Sequence, residues 1–238
     1  MTKPSGSYAV MAQRREPPDS LELFPTPPWA TRALVTHVLG DVSDQTCWEP
    51  AAGLGHMGRV LAESFTSVHM TDVFDYGGLD GVGSFVGVGP DVVEGPRNRP
   101  DWIITNPPFN LAVEFVERAL DEALVGVAVL VRTAWLEGVE RHERIFRTHP
   151  PAVVAPFVER VPMVKGKWDP DASTSTAYAW FVWRRMYGRL TPWARETKLD
   201  WIPPGCRVAL TKPGDRTKFA APNDEAEIEP DMFDAALA

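Results

Sequence analysis

Apolar and polar positions alternate along this chain in blocks that predict strands and helices in turn. Residues 29–39 carry Trp29, Ala33, Val35 and Leu39 at helical spacing, with Pro27 and Pro28 as entry residues and Gly40 as the stop. Residues 46–49 read as a first strand, followed by a glycine turn and a helix over about 57–65, and residues 68–73 as a second strand. Residues 74–99 are glycine-rich and show no helical period, so only a short third strand over 84–88 is expected there. Residues 101–105 form a fourth strand ended by paired prolines. Residues 111–124 follow as a helix with Val113, Val116, Ala119 and Leu120 on one face. Residues 126–131 are nearly all aliphatic, as expected of a strand covered on both faces. Residues 136–147 read as a charged helix stopped by Pro150 and Pro151, and residues 152–158 and 177–183 as two further strands. After Leu190 no periodicity survives. Strand–helix alternation of this kind predicts a doubly wound α/β sheet.

The 238 residues divide into a polar, proline-bearing segment 1–20 expected to be flexible, one α/β domain over 21–190, and an extension over 191–238. That extension ends in an acidic stretch expected to be disordered. No apolar run approaches the roughly 18 residues of a membrane helix. The first twenty residues contain no hydrophobic signal segment, and Cys47 and Cys206 lack metal-ligand spacing. A reduced, cytoplasmic protein with no membrane span and no metal site is the expectation. The net charge of -8 is unevenly spread: Asp224, Glu225, Glu227, Glu229, Asp231 and Asp234 lie beyond Phe219, where there is no Lys or Arg. Without those six, 26 acids face 24 basic residues. Between Arg132 and Lys198 twelve Lys and Arg outnumber seven acids, enough for a surface that meets phosphates or for an ordinary solvated face.

Two constellations carry chemistry. In Glu49-Pro50-Ala51-Ala52-Gly53-Leu54-Gly55-His56-Met57-Gly58 the glycines let the backbone turn sharply and approach a ligand, and Asp72 follows Gly53 by 19 residues at the end of the next strand, placed to accept ribose hydroxyls. The same glycine spacing matches a nicotinamide dinucleotide fingerprint. An acid directly before the turn suits an amine-bearing ligand better than a pyrophosphate. His56, alone after the turn, reads as structural. The second constellation is Asn106-Pro107-Pro108-Phe109 at the end of the fourth strand. Consecutive prolines stiffen the backbone and remove two N–H groups, so the loop presents carbonyls. An amide side chain and a fixed carbonyl can accept both hydrogens of an aromatic amine and aim its lone pair at an electrophilic methyl group, while Phe109 stacks on a flat base. In a doubly wound sheet the first and fourth strands are neighbours, which brings the two loops to one crevice.

On these motifs, over residues 23–183, the chain resembles the amino-methyltransferases of DNA, specifically adenine-N6 enzymes of the small phage and prophage type. The resemblance implies a Rossmann-like class I methyltransferase fold, α/β, with a mostly parallel seven-stranded sheet containing one antiparallel strand, and S-adenosyl-L-methionine as cofactor. It assigns Phe24-Pro25-Thr26-Pro27 to the methionine part of the cofactor, with Glu49, Ala51, Gly53 and Gly55 in the turn. Asp72 falls on the ribose, next to a familiar Asp75-Tyr76-Gly77, and Asp91 is the counterpart of the acid on the adenine amine. Arg132 and Arg141, in and after Val131-Arg132-Thr133-Ala134-Trp135-Leu136-Glu137, would shape the base pocket. The segments around Arg160-Val161-Pro162-Met163 and Tyr178 to Trp183 would frame a loop, 164–176, set against a base flipped out of the duplex, with Trp168 stacking on it. Arg141, Arg144 and Arg147 share one helical face that could contact phosphates or simply be solvated.

No sizeable recognition domain is visible. A short or relaxed target, read by loops or with the help of a homodimer or partner protein, is therefore expected. The same chemistry on RNA is the first alternative. A protein glutamine amide is a second, disfavoured by Phe109 where that chemistry usually has Tyr. A nicotinamide-dependent oxidoreductase leaves the Asn106 loop unexplained, and a non-catalytic cofactor-binding or DNA-binding module remains open.

Overall fold

In the computed structural model, which describes residues 22–186 and 191–220, the apolar blocks become one eight-stranded sheet. The N-terminal segment 1–20 and the acidic stretch beyond Phe219 expected from the sequence lie outside the described residues, Phe219 and Ala220 themselves excepted. The strands are β1 (Thr46–Glu49), β2 (Ser67–Asp72), β3 (Gly81–Val82), β4 (Trp102–Thr105), β5 (Gly126–Arg132), β6 (Val153–Pro156), β7 (Tyr178–Arg184) and β8 (Lys198–Leu199). Their order across the sheet is β3-β2-β1-β4-β5-β7-β6-β8, and β7 alone runs antiparallel to its neighbours. The sheet thus has eight strands rather than seven: β8 adds two residues in parallel beyond β6. The direction of winding reverses between β1 and β4, which are hydrogen-bonded neighbours.

Period-two alternation sorts the side chains onto two cores. Trp102 and Ile104 of β4, Ala128 and Leu130 of β5, and Trp180 and Val182 of β7 face the helices α1 (Pro28–Leu34) and α2 (His56–Leu61). Ile103, Val127, Val129, Phe181 and Trp183, one position out of phase, face α3 (Ala112–Glu122) and the segment around Ile145. Pro28 opens α1, where its missing N–H costs nothing, and a π turn over Val35–Leu39 carries the helix to Gly40, whose φ of 80° stops it.

Three expectations change. The third strand is two residues long and lies before the expected stretch. Residues 83–101 contain no helix, and the sheet face there is closed instead by Phe85 and Val93 packed on Trp48. The Arg118 guanidinium lies 4.6 Å from the Phe85 ring centroid and 5.5 Å from that of Trp48. The charged helix over 136–147 is broken into a 3-10 turn (Thr133–Leu136), α4 (Val139–Arg141) and a π turn (His142–Phe146). Finally, residues 191–220, without legible period, carry β8, α5 (Cys206–Leu210) and α6 (Asp215–Phe219), and bury Ile202, Cys206, Asp215 and Phe219. Arg32 of α1, itself buried, anchors them. Its guanidinium donates to both oxygens of Asp215 (2.6 and 2.8 Å), both oxygens of Glu63 (2.8 and 2.9 Å) and the Leu210 carbonyl (2.7 Å). No helix among the described residues is long and apolar enough to cross a membrane.

Candidate active site

At the carboxyl ends of β1, β2 and β4 a pocket opens, and its walls come from segments far apart in the chain. The turn after β1 supplies Glu49, Ala51 and Gly53. Asp72 comes from the end of β2, Asn106 and Pro108 from the loop after β4, and Phe24 and Thr26 from the N-terminal strap. These are eight of the residues singled out in the sequence. Gly53 and Gly55 have φ of 51° and 73°, the left-handed turn that redirects the chain from β1 into α2. Gly58 is required by close approach: a Cβ there would lie 2.4 Å from Met70 Sδ and 2.8 Å from Glu49 Oε2. Asp72 holds the turn, since its carboxylate accepts from the Gly53 N–H (2.8 Å) and the Phe74 N–H (3.1 Å). Burial nevertheless raises its pKa above the usual carboxylate range.

Glu49 stands out electrostatically. It is 2 % exposed, its Oε2 has no hydrogen-bond partner among the described residues, and the Gly58 N–H is the group donating to its carboxyl. Burial, with Asp72 nearby, pushes its pKa well up. A buried acid without a counter-charge is a place where a cation would be welcome.

Across the pocket the Asn106 amide is held by its nitrogen. Nδ2 donates to the Phe24 carbonyl (3.0 Å) and approaches Met163 Sδ at 3.5 Å, so Oδ1 is the atom left for another partner. Pro107 is buried behind it. The Phe109 N–H donates to Glu22 Oε2, its ring lies 5.7 Å from that of Phe24, and the Arg132 guanidinium sits 4.4 Å over it. The strap 22–26 therefore lines the pocket and grips the Asn106 loop at two points.

Other assigned residues fall elsewhere. Gly55 and Pro27 shape the turn and the entry to α1 without lining the pocket. Asp91 is exposed: its backbone carbonyl pairs with the Ser84 N–H (2.8 Å), and it is Ser84 and Phe85 that reach the pocket. Trp168 is not a free stacking residue. It is 4 % exposed and packs with Val60 and Phe219, because loop 164–176 folds back toward α2 and α6. Arg141 donates to the Glu137 carbonyl and lies 5.8 Å over the Trp135 ring. Arg144 is bound by Glu114, Glu117 and Glu140 at 2.9, 2.6 and 2.7 Å, and Arg147 pairs with Glu143, so this face is internally neutralised. Sequence reasoning missed Glu22, Phe85, Leu111 and Phe115 as pocket residues, and it read His56 as structural although His56 also lines the pocket. Tyr76, named in the sequence with Asp75 and Gly77 but given no role there, lines it too, its phenol pushed up to about 12 by burial.

No protein-family model matches the sequence, and no curated protein matches it. Solved structures do. The chain is similar to a class I S-adenosylmethionine-dependent methyltransferase from Listeria monocytogenes, with a TM-score of 0.52 at 11% identity over 77% of this chain and 68% of that one. It is also similar to the M protein of the type I restriction enzyme EcoKI, with a TM-score of 0.52 at 12% identity over 72% of this chain and 46% of that one. It thus spans about two thirds of the first and less than half of the second. At these identities the likeness is one of fold: the chain has the Rossmann-like fold of class I S-adenosylmethionine-dependent methyltransferases.

Proposed function

We propose that the chain is an S-adenosylmethionine-dependent methyltransferase that acts on the exocyclic N6 amine of adenine in DNA, with the base turned out of the duplex. The observation that carries this reading is Asn106. Its amide nitrogen is already committed to Phe24 and Met163, which leaves Oδ1 as a fixed acceptor at the crevice between β1 and β4.

The pocket fits the cofactor on chemical grounds. Glu49 offers a buried carboxyl oxygen, Oε2, without a partner among the described residues to an ammonium, Asp72 offers a carboxylate to ribose hydroxyls, and Phe85, Leu111 and Phe115 offer an apolar wall to a purine. When bound, S-adenosylmethionine supplies a methyl group on a positively charged sulfur. Asn106 Oδ1 and a backbone carbonyl of the proline loop would accept the two amine hydrogens of the target, leaving the nitrogen lone pair free to face that methyl. The proton leaves after the nitrogen has become cationic, so no general base is needed beforehand. Phe109, tied at its N–H by Glu22, would offer its ring to the base plane once the Arg132 guanidinium that now lies over it turns to the adjoining phosphate.

The deciding experiment incubates the protein with methyl-labelled S-adenosylmethionine and, separately, DNA, RNA and protein. Label in DNA recovered as N6-methyladenine is the expected result. Label confined to RNA would move the acceptor to that polymer, and label confined to protein would replace the nucleobase by an amide. A second expectation concerns pH. Glu49 holds its proton to higher pH than an ordinary carboxyl in the open pocket, and an incoming ammonium favours the ionised form. Affinity for the cofactor should therefore rise with pH until Glu49 is ionised without help, then level off. In Glu49→Gln that rise should be lost and binding should be weaker at every pH, as read by calorimetry across the range.

A further inference from the structure

Two residues that line the pocket each carry a buried polar atom without a partner among the described residues: Oε2 of Glu49 and Nδ1 of His56. They belong to the same turn. The Gly58 N–H donates to Glu49, and a Cβ on Gly58 would touch Glu49 Oε2, so the first turn of α2 lies against the acid, and His56 is the residue that begins that turn. His56 is 6 % exposed, and its ring meets the Phe219 ring edge-on, 5.4 Å between centroids. Burial, with Arg59 nearby, lowers its pKa to about 4, so near neutral pH it is an uncharged imidazole with one N–H to give.

An orphaned acid and an orphaned imidazole nitrogen, a donor in the tautomer protonated at Nδ1, are together complementary to a zwitterion. A ligand with an ammonium alone would satisfy Glu49 and leave the imidazole nitrogen stranded, a costly arrangement for a buried group. We infer that His56 is the specificity residue for the α-carboxylate of the cofactor's amino-acid end, donating from Nδ1 to that carboxylate while Glu49 takes the ammonium. Asn106 does not compete for this role, because its N–H group is spent on Phe24 and Met163. The Phe219 ring of α6 meets the imidazole edge-on, which gives the C-terminal segment a part in holding it in place.

The inference rests on the cofactor reading above, and the test separates the two. Binding of S-adenosylhomocysteine is compared by calorimetry with binding of the 3-aminopropyl thioether of adenosine, which keeps the amine and lacks the carboxylate. The parent protein should favour the carboxylate-bearing ligand by about tenfold or more, the scale of one hydrogen bond to a charged group. His56→Leu should bring the affinity for S-adenosylhomocysteine down to that for the analogue and leave the analogue unchanged. His56→Gln, which retains an N–H donor, should keep part of the preference. Equal weakening of both ligands in His56→Leu, or an unchanged preference, would overturn the inference while leaving the cofactor reading intact. Binding of neither ligand to the parent protein would overturn both. Should His56→Leu not fold, the parent protein alone answers: the imidazole 15N resonances of His56 should move on adding S-adenosylhomocysteine and stay still with the analogue. Equal movement with both ligands counts against the carboxylate contact.

Discussion

Asn106→Ala is expected to lower methyl transfer by two to three orders of magnitude with little change in cofactor affinity. Removing one preorganised group that stabilises the developing charge typically costs about 10²–10³ in rate. Asn106 is preorganised in that sense, because its amide nitrogen is fastened before any substrate arrives. The cofactor's contacts are assigned to Glu49, Asp72 and the apolar wall, so calorimetry should give a dissociation constant close to the parent's. Single-turnover transfer to a labelled acceptor reads the rate. Transfer at the parent rate would remove Asn106 from the chemistry. A parallel collapse of cofactor binding would show that the variant had disturbed the strap through Phe24 instead.

The second large effect is on stability. Arg32→Met should cost roughly 3–5 kcal/mol near neutral pH, because it strands the buried Asp215 carboxylate and releases Glu63. The hydrogen bonds from Arg32 lead the causes that hold Glu63 down at about 2. Burial pushes Asp215 up, but Arg32 more than offsets it and leaves that carboxyl below its usual range. Both carboxyls are thus depressed in the folded protein. Their contribution is complete above the ordinary carboxylate range and disappears as pH falls from about 4.5 toward 2. Urea unfolding should show the parent and Arg32→Met well separated at pH 7 and converging in acid. A constant gap at all pH would mean that the loss is one of packing alone. Because α6 carries Phe219 against His56, the variant should also bind the cofactor more weakly.

Most of the sheet was legible because β4, β5 and β7 are runs of buried side chains, and such runs announce themselves. β3 escaped because its pairing consists of two residues in a glycine-rich stretch, where there is no side-chain pattern to read. The C-terminal elements escaped for another reason. They are two to five residues long, and their order depends on partners such as Arg32 and Asp215, 183 positions apart. Trp168 looked exposed in a polar loop, but the residues that bury it, Val60 and Phe219, come from distant segments. In the site, Glu49, Gly53, Asp72 and Asn106 were visible as short motifs on successive strand ends. Asp91 is exposed and lies outside the pocket lining, which Ser84 and Phe85 reach instead. Glu22 had no motif around it and meets the Phe109 N–H 87 positions away.

That last contact, with its companion between Phe24 and Asn106, bears on how the pocket comes into being. The sheet can close through pairings of neighbouring strands, but the Asn106 loop acquires its grip only when residues 22–24 return across more than eighty positions of chain. Such long loops close late and open first. Folding and competence are therefore separable events: a chain nicked just ahead of Phe109's partner Glu22 keeps its grip, whereas one nicked between Phe24 and Trp29 keeps its sheet and loses its aim.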